Sequence, residues 1–416
     1  MKKLIKNVVM LDMTAATLES VEGLTVNNAV RVFVTASTRP LLGHIQFGNL
    51  VSIIEIPDGA SASSINGSVT IDGNYESSLE GKQTYFMING SLLIKNDVTP
   101  ETLSRIFSAG GDINGSITLP DTLTALCPML NIKVNGSINA YPSDSLLYTG
   151  DITVNNGFLS GLPENAKITA AKPGNVFIAP DTDPKLFSRH ISELYVFGDT
   201  IVPSALCDVF YKAARLYEKV TVIPEGFVYS DKPLTINRAG IYTLKGKSLY
   251  TPHNIVFKDG FTENQINQLD FRLETEKAAI VPDCIVDAVF DRIKADGFYT
   301  YQGKLVTVND EMNVNKLNHG ETAVCSYLIN QDALLSIPED MTAEEIEQTI
   351  GEIFLYGDIA LREAHVSAIK EKIVIEEGNL IIDDTSEDEA ESDRNDDDDA
   401  ASGYDIVIGN AVEFKL

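Results

Sequence analysis

The sequence predicts an α/β repeat solenoid with short helices, one coil taking about 20–27 residues. Three observations predict it. The phrase Asn-Gly-Ser occurs four times, at Asn66, Asn89, Asn114 and Asn135, so successive copies fall 23, 25 and 21 residues apart, each flanked by Ile, Val or Leu. A unit of that length is one supersecondary turn that cannot bury its apolar face alone, so copies must stack. An apolar residue or Ala followed by Pro and an acid recurs at Ile56-Pro57-Asp58, Leu119-Pro120-Asp121, Ala179-Pro180-Asp181, Ile223-Pro224-Glu225, Val281-Pro282-Asp283 and Ile337-Pro338-Glu339. Proline cannot donate to a ladder, so each copy marks a strand end or a first helical turn. Period-two strand text ending at glycine or an acid recurs as Leu194-Tyr195-Val196-Phe197-Gly198-Asp199, Ile353-Phe354-Leu355-Tyr356-Gly357-Asp358 and Tyr299-Thr300-Tyr301-Gln302-Gly303.

Helices are predicted between the strands, over Thr99–Ala109, Ala205–Leu216, Ile285–Ile293, Ala343–Ile350 and Ala364–Ile369, from apolar positions at helical spacing. Their starts carry caps. The phrase Asp, apolar, Thr occurs at Asp12-Met13-Thr14, Asp97-Val98-Thr99 and Asp340-Met341-Thr342; Thr342 with Glu345 and Thr262 with Gln265 have capping-box spacing, and Pro100 follows Thr99 as a first helical residue. Asn-Gly between apolar residues is also the strongest short hairpin signal, so four hairpins are the competing local reading. The helical text between the second and third copies favours coils.

The strand text resembles leucine-rich repeats: Ile191, Leu194, Val196, Asp199 and Ile201 fit the consensus with aspartate in the asparagine place, as do Ile350, Ile353, Leu355, Asp358 and Ala360. Val220-Thr221-Val222-Ile223-Pro224-Glu225-Gly226 resembles the bacterial surface type, and Ile65-Asn66-Gly67-Ser68-Val69 is similar to the β-solenoid of bactofilins. These resemblances imply a leucine-rich-repeat-like or mixed β-solenoid over residues 1–382, as one array or as halves 1–185 and 186–382. Residues 383–402, rich in Asp and Glu, are predicted to be a disordered acidic linker, because dense like charge leaves nothing to offset chain entropy. Residues 403–416 are predicted to be a docking strand that caps the chain's own array or adds to an edge in another subunit.

Bulk chemistry narrows the function classes. Sixty acidic against 32 basic residues give a formal charge of -28, which disfavours nucleic acid and anionic membranes as partners. No apolar run is long enough to span a membrane, and the basic start Met1-Lys2-Lys3 lacks the uninterrupted apolar core and cleavage site of a signal peptide, so a cytoplasmic or virion-associated protein is expected. Cys127, Cys207, Cys284 and Cys325 have neither zinc nor disulfide spacing and read as four core thiols in a reducing compartment. The five histidines form no metal motif, and the calcium-loop pattern starting at Asp393 has Asp398 where glycine belongs and Tyr404 where glutamate belongs. No nucleophile elbow, phosphate loop or dinucleotide fingerprint is present.

No catalytic residue, metal or cofactor is therefore expected, and the chain reads as a non-enzymatic scaffold for a protein partner or self-association. The candidate binding surface is Tyr195, Phe197, Phe354 and Tyr356, which alternate with apolar residues on two strands of equivalent text. A carbohydrate-active or carbohydrate-binding β-helix of tail-spike type is the alternative, with Asp112, Asp151, Asp199 and Asp358 as groove acids; turn acceptors and caps are the structural role for the same acids. A phage or mobile-element structural component is the third reading.

Overall fold

The computed structural model describes residues 2–79, 81–314, 324–382 and 404–416. Its described residues form nine four-stranded sheets of short strands, and every described strand pair is parallel, a β-rich, solenoid-like arrangement of stacks. The acidic linker and the calcium-loop pattern predicted within 383–403 lie outside the described residues. Among the described residues no helix is long and apolar enough to cross a membrane.

The described residues divide into two compact units, one holding those up to 220 together with 404–416 and the other those from 221 to 382, the division falling within the strand Val220–Ile223. The first unit opens with a sheet of long strands, β1 (Lys3–Asp12), β2 (Leu24–Val34) and β3 (Gln46–Glu55), in which the C-terminal strand Ile406–Lys415 lies against β1. Four blocks follow along the sequence, spanning 61–141, 146–223, 228–301 and 304–382, and each consists of two four-stranded sheets. In the first block Ser61–Asn66, Thr84–Asn89, Gly111–Asn114 and Ile132–Val134 make one sheet, and the strands just after each Asn-Gly-Ser corner make the other.

The corner joins strands of different sheets, and Asn66, Asn89 and Asn114 sit side by side in parallel register. The hairpin reading is thereby overturned: the turn bends the chain from one sheet into the next instead of reversing it. The asparagine side chains form a ladder, Asn89 Nδ2 donating to Asn66 Oδ1 at 2.8 Å and Asn114 Nδ2 to Asn89 Oδ1 at 2.7 Å.

The helices lie where their caps place them. Pro100–Ile106 starts at Thr99, and Ala343–Thr349 and Glu263–Asn267 start at complete capping boxes on Thr342 and Thr262. The predicted helices at 205, 285 and 364 appear shortened, each opening with a 3-10 turn: Cys207–Ala213, Val286–Val289 and Val366–Lys370. They close the third side of each block over its core; in the first block Leu103, Ile106 and Phe107 cover Ile88, Ile94 and Ile113.

Neighbouring blocks of one unit meet sheet to sheet. In the first unit Leu93 and Tyr141 face Ala171, with Phe197 at the margin; in the second, Val256 and Ile280 face Leu328 and Phe354. Tyr141 Oη donates to the Ile94 carbonyl at 2.7 Å, and Tyr301 Oη to the Phe257 carbonyl at 2.8 Å. Each phenol thus staples the fourth strand of a sheet to the second, and each is driven upward in pKa by burial. The third block thus repeats this bond of the first.

Candidate functional site

Each unit carries a groove between its two blocks, where corner residues and adjoining strand residues of the earlier block face those of the later one. The first holds about 630 Å³ and is lined by Ser68, Ser91, Ser116 and Ser137 on one side and by Lys172, Asn175, Phe197, Asp199, Tyr217 and Glu218 on the other. The second holds about 800 Å³, with Thr235, His253, Asn254, Lys258 and Lys277 facing Asn309, Asn330, Gln331, Tyr356 and Glu377.

The serines of the first groove are the third residues of the Asn-Gly-Ser corners. Parallel pairing of consecutive strands spaces them about 4.8 Å apart, giving a row of hydroxyls along one wall. Opposite them Phe197 and Tyr217 lie with ring centroids 4.2 Å apart and planes inclined by 31°. Tyr217 Oη donates to the Ala140 carbonyl at 3.4 Å, and Lys172 Nζ to Thr70 Oγ1 at 2.5 Å, so both walls are tied to each other. In the second groove the tie runs the opposite way, from Lys258 Nζ of the third block to Thr307 Oγ1 of the fourth, and burial lowers the pKa of this lysine.

The four aromatic candidates separate into two roles. Phe197 and Tyr356 end equivalent strands, are half-buried, and each lines its unit's groove. Phe354, expected on an exposed face, is fully buried beneath the third block, its ring 6.4 Å from that of Tyr299. Tyr195, at the matching position, is half-buried and donates from Oη to Glu193 at 2.9 Å; burial, then that bond, raises its pKa. The outward face of one sheet is thus the packing face of the next block, which period-two text alone does not reveal.

The acids have structural partners. Asn175 N–H donates to Asp151 Oδ1 at 3.1 Å, Asp199 N–H to Asn175 Oδ1 at 2.8 Å, and Lys219 N–H to Asp199 Oδ1 at 3.2 Å, a ladder of corner acceptors each holding the backbone of the next strand. Asp358 Oδ1 accepts from Asn379 Nδ2 at 2.9 Å, and Asp112 pairs with Arg31 at 3.5 Å. Among the described residues no three or more His, Cys, Asp or Glu are grouped to hold a metal ion.

Sequence reasoning missed Lys172, Tyr217 and the serine row. A usable signal existed: Leu216-Tyr217-Glu218-Lys219 aligns with Val196-Phe197-Gly198-Asp199, and the register pairs Val196 with Leu216.

Tyr356 supplies a pH test. Burial pushes its phenol up to about 12, with Glu377 and Tyr299 adding and Asn254 opposing. The folded state therefore penalises the phenolate, so this contribution to stability is whole below about pH 10, the ordinary tyrosine value, and is lost as pH rises toward about 12. In an ultraviolet phenolate titration, Tyr356→Phe is expected to remove one late-titrating equivalent while leaving the ordinary tyrosines unchanged.

The chain matches no family model, no curated protein and no solved structure.

Proposed function

We propose that the chain is a non-enzymatic repeat scaffold, a leucine-rich-repeat-like or mixed β-solenoid, that recognises a protein partner through its two grooves. The observation that carries this reading is recurrence: the same two-block assembly with a groove at the same place occurs twice, and an aromatic, Phe197 or Tyr356, stands at the equivalent point of each. Rigid walls with few exposed aromatic anchors are what binding surfaces use, because little side-chain entropy is lost on docking. The acids a hydrolase would need are engaged as corner acceptors. Of the four cysteines, expected in the core, only Cys127 is buried, Cys207 and Cys325 being half-buried and Cys284 exposed; four thiols of this kind fit a reducing, cytoplasmic setting.

Carbohydrate binding is the second reading, favoured by the first groove specifically. A row of hydroxyls opposite the Phe197 and Tyr217 rings suits a polyol chain, which presents hydroxyls at its edge and apolar C–H groups on its face.

A photo-crosslinking residue placed at 197 or 356 of the full chain in its host cell is expected to trap one protein species. Phe197→Ala combined with Tyr217→Ala is then expected to weaken that partner's binding by about tenfold or more. The same chain is expected to leave a panel of acidic polysaccharides uncleaved. Turnover that disappears in Asp199→Asn or Asp358→Asn would overturn the non-enzymatic reading, and glycan retention abolished by Phe197→Ala would replace the protein partner with a carbohydrate.

A further inference from the structure

The four strands of the N-terminal sheet carry one text. It reads Ile5-Lys6-Asn7-Val8-Val9 in β1, Val26-Asn27-Asn28-Ala29-Val30 in β2, Phe47-Gly48-Asn49-Leu50-Val51 in β3 and Ile408-Gly409-Asn410-Ala411-Val412 in the C-terminal strand. Register places Asn7 beside both Asn28 and Asn410, and Asn28 beside Asn49. Asn28 Nδ2 donates to Asn7 Oδ1, and Asn7 Nδ2 to Asn410 Oδ1, both at 2.7 Å. The C-terminal strand is therefore a distant copy of the same repeat, and it most resembles β3, with which it shares the Gly-Asn pair.

Among the described residues this sheet ends on β3 at one side and on the C-terminal strand at the other. Both edges differ from the remaining ones. They are ten residues long, whereas edge strands of the other sheets run from Val228–Tyr229, two residues, to Ser61–Asn66, six. Neither Gln46 to Ile54 nor Ile406 to Val412 contains a charged residue or proline, in a chain that is 22% charged. Short edges, charges and prolines are the usual protections against strand addition; these edges are long, lack proline, and carry charge only toward their C-terminal ends, at Glu55 on β3 and at Glu413 and Lys415 on the C-terminal strand. The core is also open at both ends: Val26 and Ala29, with a strand on each side, are 0% and 1% exposed, while Phe47, Leu50, Ile408 and Ala411 are only partly buried.

We propose that the two edges are halves of one interface, the C-terminal strand of one molecule pairing in parallel with β3 of a second copy. Continuing the existing register sets Asn410 against the second copy's Asn49, Ile408 against its Phe47 and Ala411 against its Leu50, so the asparagine ladder and the apolar column both run on. Charges agree with this alignment. Glu413 falls opposite Ser52, and Lys415 falls one place from Glu55, so no like charges meet and one opposite pair is brought close. The contact is heterologous, so it adds molecules head to tail. It uses sheet edges rather than the grooves and stands independently of the partner reading above.

Sedimentation of the full chain across a concentration series tests it. The mean mass is expected to rise with concentration past that of a dimer. Asn49→Asp with Asn410→Asp, which opposes two carboxylates at the junction, is expected to hold the chain at monomer mass, and Asn49→Lys with Asn410→Asp to restore assembly. Both asparagines are exposed, and an aspartate at 410 keeps the acceptor that Asn7 uses. A synthetic peptide of residues 404–416, added to the unaltered chain, is expected to lower the mean mass by occupying β3 edges. A native chain that stays monomeric at every concentration would overturn the proposal, as would assembly undiminished by both the paired aspartates and the peptide.

Discussion

Alanine at Gly90 or Gly115 is expected to destabilise the first unit by about 2–6 kcal/mol, the sum of left-handed backbone strain and a clash that cannot relax. Gly90 has φ 150° and Gly115 φ 153°. A Cβ at Gly90 would lie 2.2 Å from the Gly67 carbonyl oxygen, and one at Gly115 2.2 Å from that of Gly90. The obstructing atom is backbone of the adjacent corner, itself held by the Gly67 N–H to Asn89 carbonyl and Gly90 N–H to Asn114 carbonyl bonds, so no rotamer change relieves it. Gly67 is the control: φ is 112°, yet nothing lies within 4 Å of its Cβ position, because it belongs to the first corner of the stack. Gly67→Ala should cost only the conformational part, about 1–3 kcal/mol. Thermal melting separates the cases, since each kcal/mol moves the midpoint by roughly 2–4 °C in a unit of this size. Equal losses at Gly67 and Gly90 would mean that the corners are not in close contact.

The second large effect is expected at Phe257→Ala, about 3–5 kcal/mol in the second unit. Its ring is fully buried, 5.9 Å from Phe261 and 6.5 Å from Phe271 by centroid, in the core shared by sheet and helix. Truncation leaves a ring-sized void between two elements that cannot collapse together, because the strand is pinned on both sides by Ile236 and Ile280 pairing partners and receives the Tyr301 phenol at its end. Phe290, 59% exposed, is the matched control, and its alanine variant should change the midpoint by little, about 0.5 kcal/mol or less. Urea unfolding followed by tyrosine fluorescence reads both, and a Phe257→Ala loss no greater than that of Phe290→Ala would contradict the packing described for this core.

Much of the architecture was legible because its causes are local. Threonine caps at Thr99, Thr262 and Thr342 fix helix starts through bonds within four residues, and the Asn-Gly corners fix where the chain bends. The aromatic pair Phe197 and Tyr356 was legible as a pair of equivalents because the strand texts around them match. Their burial was not. Phe354 and Tyr195 occupy one position in that text, yet one lies beneath another block and the other is half-exposed, since Val256 and Ile280 cover the first from a different sheet.

The repeat in β1, β2, β3 and the C-terminal strand was written in the sequence but separated by most of its length, so only the parallel register made Asn410 a neighbour of Asn7. By itself the sequence determined the spacing of the corners, the helix caps and the short strands between them, all of which follow from short-range dihedral and hydrogen-bonding preferences. The tertiary structure decided how many strands each stack holds, which outward faces become packing faces, and where grooves remain. Those outcomes depend on apolar surface meeting apolar surface between segments far apart in the chain, and burial of that kind has no direction that a linear pattern can record.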